Sequence, residues 1–262
     1  MNTQRAPLWL PLLRTLTGAT DEWAVWKNAD SALYGTGDVD SAAPRSVWHL
    51  LEQTVATWAH EQDLGPTVVC RHIPRTLNVL TLLPGTQSLL QLEVKAGATY
   101  RGSLQFSAAD IVALSVLDER GFRRLRDGAE GVLKMLNNGG SWGGRPNWDG
   151  LRAKSVVELL QADPQGAAAM ADRFGAARGR LLAAVAATSR GEWDRGAVAA
   201  VEAHALAKAV VQPHVVAERL WFRGVRKPSC PVLRTVYRNN RVIEGDVGAW
   251  FRRAERNHRV LG

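Results

Sequence analysis

Two periodicities alternate along the first half of the chain. Residues 22–26 (EWAVW) and 37–43 (GDVDSAA) are short runs of strand length. From Pro44 the spacing changes: Val47, Leu50, Leu51, Val55 and Trp58 fall on one stripe of a 3.6-residue helix that a proline opens. Three β-rich runs follow at 67–73, 76–83 and 88–94, with Pro84-Gly85 turning the second into the third. Ser107 with Asp110 has the spacing of a capping box before residues 111–117, and Asp127 with Glu130 repeats it before 131–136. GFRRLR, at 121–126, reads as one further short strand. The Asn/Gly-dense stretch NNGGSWGGRPN (137–147) then breaks the pattern and predicts a boundary. Beyond it the apolar stripes predict helices to the end, the last at 247–257, with no internal repeat. The expected fold class is α/β (α+β): a small mixed sheet flanked by helices over residues 1–145, followed by a helical domain over 146–262.

Composition narrows the setting. With 262 residues the chain has room for a substantial core, and its 46% hydrophobic and 22% charged content are those of a folded protein. The two cysteines, Cys70 and Cys230, form neither a CxxC unit nor a zinc spacing, so a reducing, cytoplasmic setting is expected. PLWLPLLRTL near the N-terminus is interrupted by Pro11 and Arg14 and is too short for a signal segment. No run approaches the roughly 20 apolar residues of a membrane span, so no membrane partner is expected.

The candidate chemistry begins at GDVD. On a strand, Asp38 and Asp40 share one face, about 6.5–7 Å apart along the backbone, while Val39 turns to the other. Two carboxylates on one face suit a hard divalent cation that keeps positions open for phosphate, and Gly35 and Gly37 let the backbone approach a bulky anion. A third carboxylate is expected from a neighbouring strand. In LLQLEVKAG, Gln91, Glu93 and Lys95 share a face opposite Leu92 and Val94. An acid on a largely buried strand needs a metal or a cationic partner, for which Lys95, Arg71 and Arg75 are the alternatives. Lys134 and Lys154 read more simply as solvated helix lysines than as phosphate ligands.

Other motifs do not fit. Counting an EF-hand loop from Asp38 places Ala43 and His49 where Gly and Glu are required. There is no GxxxxGK[ST], no HExxH and no GxSxG, and GTGDVD has Asp40 where a dinucleotide fingerprint needs its last glycine.

The strand WAVWKN, a short connection, GTGDVD, a helix and then an acid-bearing strand resemble the nucleotidyltransferase superfamily, the polymerase-β-like fold, over roughly residues 20–100. That family carries Gly-Ser at the end of its first strand, Asp-x-Asp some ten residues on, and a third acid on a later strand. The resemblance implies that Asp38, Asp40 and Glu93 bind Mg²⁺ with an NTP substrate and that Glu93 also helps activate the acceptor. Lys27-Asn28 stands where Gly-Ser is usual, and Glu93 where Asp is commoner. With Gly35 and Gly37, Lys27 and Asn28 become candidate nucleotide-phosphate contacts. These departures keep two alternatives in view: a catalytically inactive nucleotidyltransferase-like binding module, and an RNA-binding protein without catalysis.

Charge adds a second candidate surface. Residues 1–145 carry 14 Lys/Arg and 14 Asp/Glu, whereas residues 219–262 carry 11 against 3, which alone equals the net charge of +8. In this segment Arg219, Arg223, Arg226, Lys227, Arg234, Arg238 and Arg241 are interleaved with Trp221, Phe222 and Tyr237. Arginine grips phosphate with two hydrogen bonds and aromatic rings stack on bases, so an RNA acceptor is expected to bind here. The other readings are a solvated face and a dock for an acidic protein partner.

Overall fold

The computed structural model describes residues 5–35, 37–71, 73–83, 89–147, 150–225, 234–238 and 241–242, with backbone alone for Ser141, 150–154 and everything from Phe222 onward. The helices are α1 (Ala6–Ala19), α2 (Ala29–Tyr34), α3 (Trp48–Glu61), α4 (Ala108–Val112), α5 (Asp127–Lys134), α6 (Gly150–Ala162), α7 (Pro164–Asp172), α8 (Arg178–Ser189), α9 (Arg195–Val210) and α10 (Pro213–Val225). The strands are β1 (Ala24–Lys27), β2 (Val39–Ala42), β3 (Thr67–Cys70), β4 (Thr76–Leu82), β5 (Leu89–Lys95), β6 (Gly97–Tyr100), β7 (Ser103–Ser107), β8 (Ser115–Leu117), β9 (Arg123–Leu125), β10 (Gly140–Ser141), β11 (Arg145–Pro146), β12 (Arg234–Arg238) and β13 (Arg241–Val242). The fold is α+β, a mixed sheet flanked by helices together with a helical region. No described helix is long and apolar enough to cross a membrane.

The chain forms two compact units. The first comprises 1–96, 117–123 and 221–262; the second comprises 97–116 and 124–220. The first unit is therefore assembled from three chain segments, and the Asn/Gly-rich stretch at 137–147 lies inside the second unit.

In the first unit the sheet runs β13-β12-β3-β4-β5-β2-β1-β9-β8, the last two strands leading into and out of 117–123. β2 and β5 are parallel, and the other registered pairs are antiparallel. One sheet face carries Val39, Leu92, Val79 and Val69 into the core, where they meet Trp9, Leu12, Leu13 and Leu16 of α1 and Leu51 and Val55 of α3. Burial of such a side chain is worth roughly 1.5–3 kcal/mol, so this layer supplies much of the unit's stability. α1 forms despite Pro11, because Pro7 lies in its first turn and the stripe Trp9–Leu12–Leu13–Leu16 has a sheet-backed core to fill.

The second unit packs α5 on α6 and α7, α8 on α9, and the β6–β7 hairpin against α4 and α9. Gly128 permits the α5–α7 approach: a Cβ there would lie 1.8 Å from the Asp163 carbonyl oxygen.

Several expectations change. The Ser107–Asp110 capping box is present, but the helix it starts ends at Val112 and the chain turns into β8. Asp127 is not a cap. The N-cap of α5 is Arg126, with no side-chain cap bond, and Asp127 lies in the first turn, paired with Arg124. Lys134 is not solvated; it pairs with Glu130 one turn away, Nζ to Oε1 2.7 Å, both largely buried. Residues 137–147 hold a π-turn and the short β10–β11 pair rather than open loop. Beyond 147 the chain is not helical throughout, because 234–238 is a strand of the first unit's sheet. Arg-Thr-Val-Tyr-Arg carries a β-branched and aromatic run, a strand signal set within a helical pattern. The Pro84-Gly85 turn, the side chain of Lys154 and the helix expected at 247–257 lie outside the described residues and side chains.

Candidate metal and nucleotide site

Strand register builds the site. Asp40 of β2 stands beside Glu93 of the parallel β5, Lys27 of β1 beside Asp40, and Asn78 of β4 beside Glu93. Residues in register on adjacent strands project from the same face. The face opposite the Val39–Leu92–Val79 core layer therefore carries a row of Lys27, Asp40, Glu93 and Asn78. Asp38 immediately precedes β2 and joins this face two residues from Asp40. Oxygen atoms of Asp38, Asp40 and Glu93 come within 4.8 Å of one another, and this is the group of potential metal ligands among the described residues. Asp40 is buried, and Asp38 and Glu93 are half-buried.

Cations and amides surround the carboxylates. Lys27 Nζ lies 3.2 Å from Asp40 Oδ2, and Lys95 Nζ lies 3.3 Å from Glu93 Oε1. Gln91 Nε2 donates to Asp38 Oδ2 at 3.2 Å, and Ser41 Oγ donates to the Glu93 carbonyl oxygen at 2.9 Å, bracing β2 to β5. Burial pushes the Asp40 carboxyl above its ordinary range; Lys27 pulls it back, Glu93 pushes it further up, Lys95 pulls it down, and the net shift is upward. Arg71, one alternative partner for Glu93, is instead engaged with the buried Glu52. The Glu93 partner is Lys95, two residues along the same strand.

Sequence reading missed Trp26 and Asn78. The β1–β2 register shifts between Val25 and Lys27, so β1 bulges at Trp26. A bulge re-aims side chains, and here the indole lies under both lysines, 5.8 Å from Lys27 Nζ and 5.0 Å from Lys95 Nζ. Asn78 is buried, and its Nδ2 has no hydrogen-bond acceptor among the described residues. A polar residue within the β-rich TLNVLTLL run was the available signal for it.

The connection from β1 to β2 delivers Asp38. Asn28 takes a left-handed conformation (φ 56°, ψ 29°) and starts α2. The backbone N–H groups of Gly35 and Gly37 both donate to the Ser31 carbonyl oxygen, at 3.0 and 3.4 Å, folding the chain back over the end of α2. A Cβ on Gly35 would stand 2.7 Å from that oxygen, and one on Gly37 2.8 Å from Ser31 Oγ. These glycines thus serve the close turn that places Asp38. Arg5 Nη1 donates to the Gly37 carbonyl oxygen at 3.2 Å and holds the turn from α1's side.

The basic segment is divided. Arg219 and Arg223 lie on α10, which ends at Val225; Arg226 and Lys227 lie outside the described residues. Arg234 and Arg238 belong to β12 and Arg241 to β13. β12 adds to the sheet beside β3, with Arg234 opposite Cys70 in the register row that continues through Asn78 and Glu93.

No protein-family model and no curated protein matches the chain. A solved structure, JHP933 from Helicobacter pylori, aligns over 84% of this chain and 100% of its own at 13% identity with a TM-score of 0.36, a likeness too distant to carry a functional argument.

Proposed function

We propose that the protein is a Mg²⁺-dependent nucleotidyltransferase that moves a nucleotidyl group from an NTP to an acceptor. The observation that carries this reading is the convergence of Asp38, Asp40 and Glu93 from two parallel strands to within 4.8 Å. The donor set fits the ion: three carboxylates are hard oxygen ligands, and Asp40 is buried where an uncompensated charge is costly. Asp38, Asp40 and Glu93 would hold Mg²⁺, which supplies positive charge to the phosphoryl oxygens when bound.

In the transfer, an acceptor oxygen attacks the α-phosphorus, the bond to the bridging oxygen breaks, and pyrophosphate leaves. Glu93 orients the attacking hydroxyl and draws on its proton. Lys27 and Lys95 stand beside the carboxylates on β1 and β5, Asn28 follows Lys27, and all three offer donors to the phosphates. The arginine-rich segment supports an RNA acceptor, with a small molecule or a protein hydroxyl as the alternatives.

A second reading is favoured by the two ion pairs, Lys27–Asp40 and Lys95–Glu93. They occupy two of the three carboxylates, as in a binding module without catalysis. Incubating the protein with each labelled NTP and total RNA, with and without Mg²⁺, separates the readings. Transfer that requires Mg²⁺ and is lost in Asp38→Asn supports the enzyme. Metal-dependent NTP binding without transfer supports the inactive module, and RNA binding with neither supports an RNA-binding protein.

A further inference from the structure

We propose that Lys27 and Lys95 form an exchangeable cation pair: they neutralise the carboxylates when no metal is bound, and on metal binding they release and grip the polyphosphate that arrives with it. The inference rests on the reading of Asp38, Asp40 and Glu93 as cation ligands and assigns the two lysines a role on that same site.

Charge balance is the first reason. Three carboxylates sit within 4.8 Å of one another, and two ammonium groups stand 3.2 and 3.3 Å from two of them. Like charges so close are tolerated only with counter-charge present. A divalent ion adds two positive charges at the centre of the cluster, after which the three carboxylates need only one of the two ammoniums. Four positive charges would then face three negative ones, and the excess calls for an anion.

Geometry supports exchange over permanent pairing. The lysine side chains are 28% and 27% exposed, against 5% for Asp40, so the ammoniums are at the open side of the cluster and can turn outward. Lysine is a compact charge on a flexible stem, unlike the fixed fork of an arginine. The Trp26 ring centroid lies 5.8 and 5.0 Å from the two ammoniums, so either can leave its carboxylate and keep a cation–π contact. The bulge that puts Trp26 there spends strand regularity on this placement.

An independent observation points to a ligand at the same place. Asn78 is 7% exposed, stands in register with Glu93, and keeps an amide nitrogen with no acceptor among the described residues. A buried donor without an acceptor is destabilising, and an anion oxygen at the site would relieve it. Two lysines with one amide donor suit a chain of phosphates, and the metal and the polyphosphate then raise each other's affinity, since coupling between two ligands is reciprocal.

The test compares bare Mn²⁺ with the preformed Mn²⁺–tripolyphosphate complex, binding of each being followed by electron paramagnetic resonance on the full chain. The variants are Lys27→Met, Lys95→Met and the double substitution, with circular dichroism confirming the fold. In the wild type the complex binds more tightly than the bare ion. In the double variant bare Mn²⁺ binds at least about threefold more tightly, because its competitors are gone, and the complex binds at least about tenfold more weakly. These opposed shifts are what a merely structural lysine would not produce. Shifts in the same direction, or none, overturn the exchange while the transferase reading stands, provided that the wild type binds Mn²⁺ and Asp40→Asn does not. Absence of Mn²⁺ binding to the wild type overturns both. Opposed shifts without nucleotidyl transfer from any labelled NTP keep the exchange and remove the transferase reading.

Discussion

Two acids of the second unit, Glu202 and Asp163, and the carboxylate cluster of the first are treated in opposite ways. In the second unit, Glu202 accepts hydrogen bonds from the backbone N–H groups of Gly143 and Gly144 at 2.9 and 3.0 Å and pairs with Arg101 Nε at 2.7 Å. Asp163 caps α7 through Gly166 N–H, accepts from Gly128 N–H, and takes two bonds from Arg126. Each of these carboxylates takes two backbone N–H donors and pairs with one arginine. In the first unit, Asp38, Asp40 and Glu93 are set beside one another, and their charge is met by two flexible lysines and a glutamine. A carboxylate that holds a fold together is surrounded by donors that cannot leave. A cluster of carboxylates with mobile partners keeps its oxygens available. The contrast is one of partner chemistry, and every acid in it is at least half-buried.

The largest expected effect falls on the first unit's chemistry. Asp40→Asn, and equally Asp38→Asn, removes a metal ligand and is expected to lower the nucleotidyl-transfer rate about a thousandfold or more. The same Asp40→Asn protein is expected to melt no lower than the wild type, because it removes a buried charge crowded by Glu93. Full activity in either purified variant, or a collapse of the Asp40→Asn fold, would place these acids with the structural ones. Glu93→Gln belongs to the same class: turnover falls severely and the melting temperature barely changes.

Glu202→Ala should do the reverse. It leaves Arg101 buried without its partner and strips the acceptor from two backbone N–H groups, at a cost of about 3–5 kcal/mol. Chemical denaturation of the variant checks the loss, and NTP binding by the folded fraction should be retained. An unchanged denaturation midpoint would mean that the Gly143-Gly144 turn holds without it.

A smaller effect, with a pH signature, is expected at Asp163. Burial opposes its ionisation, but the bonds from Arg126, Gly166 and Gly128 outweigh that, and its carboxyl sits below the ordinary range. A carboxyl depressed in the folded state adds stability above its unfolded value of about 3.8, and that contribution is lost as pH falls through the folded value. Asp163→Asn keeps a capping side chain but removes the charge that Arg126 meets, so it should cost about 1 kcal/mol at pH 6 and less at pH 3. Denaturant midpoints at the two pH values measure this, and a cost that is the same at both would show that the carboxylate charge is immaterial.

The smallest change per residue concerns the basic segment. Reversing Arg223, Arg226 and Arg238 to Glu should reduce the log–log salt slope of RNA binding by about 0.7–0.9 for each phosphate that an arginine no longer neutralises. An unchanged slope would assign the segment to an acidic protein partner or to solvent.

The sequence by itself determined the strands and helices whose apolar period is uninterrupted: β2 through β5, α3, and the long helices of the second unit. It also placed Asp38, Asp40 and Glu93 as one candidate cluster, because strand alternation assigns each to the polar face before any pairing is known. α1 was not legible as a helix, since Pro11 interrupts its pattern and only the core it covers outweighs that proline. Pairing itself was decided by the tertiary structure. The parallel register that puts Asp40 beside Glu93 joins strands far apart in the chain, and no local pattern encodes which strand a run will choose. The same holds for β12, an arginine-flanked run that becomes a strand because β3 offers it an edge. Lys95 pairs with Glu93 although alternate residues on a strand tend to diverge, because the neighbouring carboxylates attract its charge and its ammonium lies over the Trp26 ring. The chemical types at the site follow from the chain, while their distances and partners follow from the packing of strands that are remote in sequence.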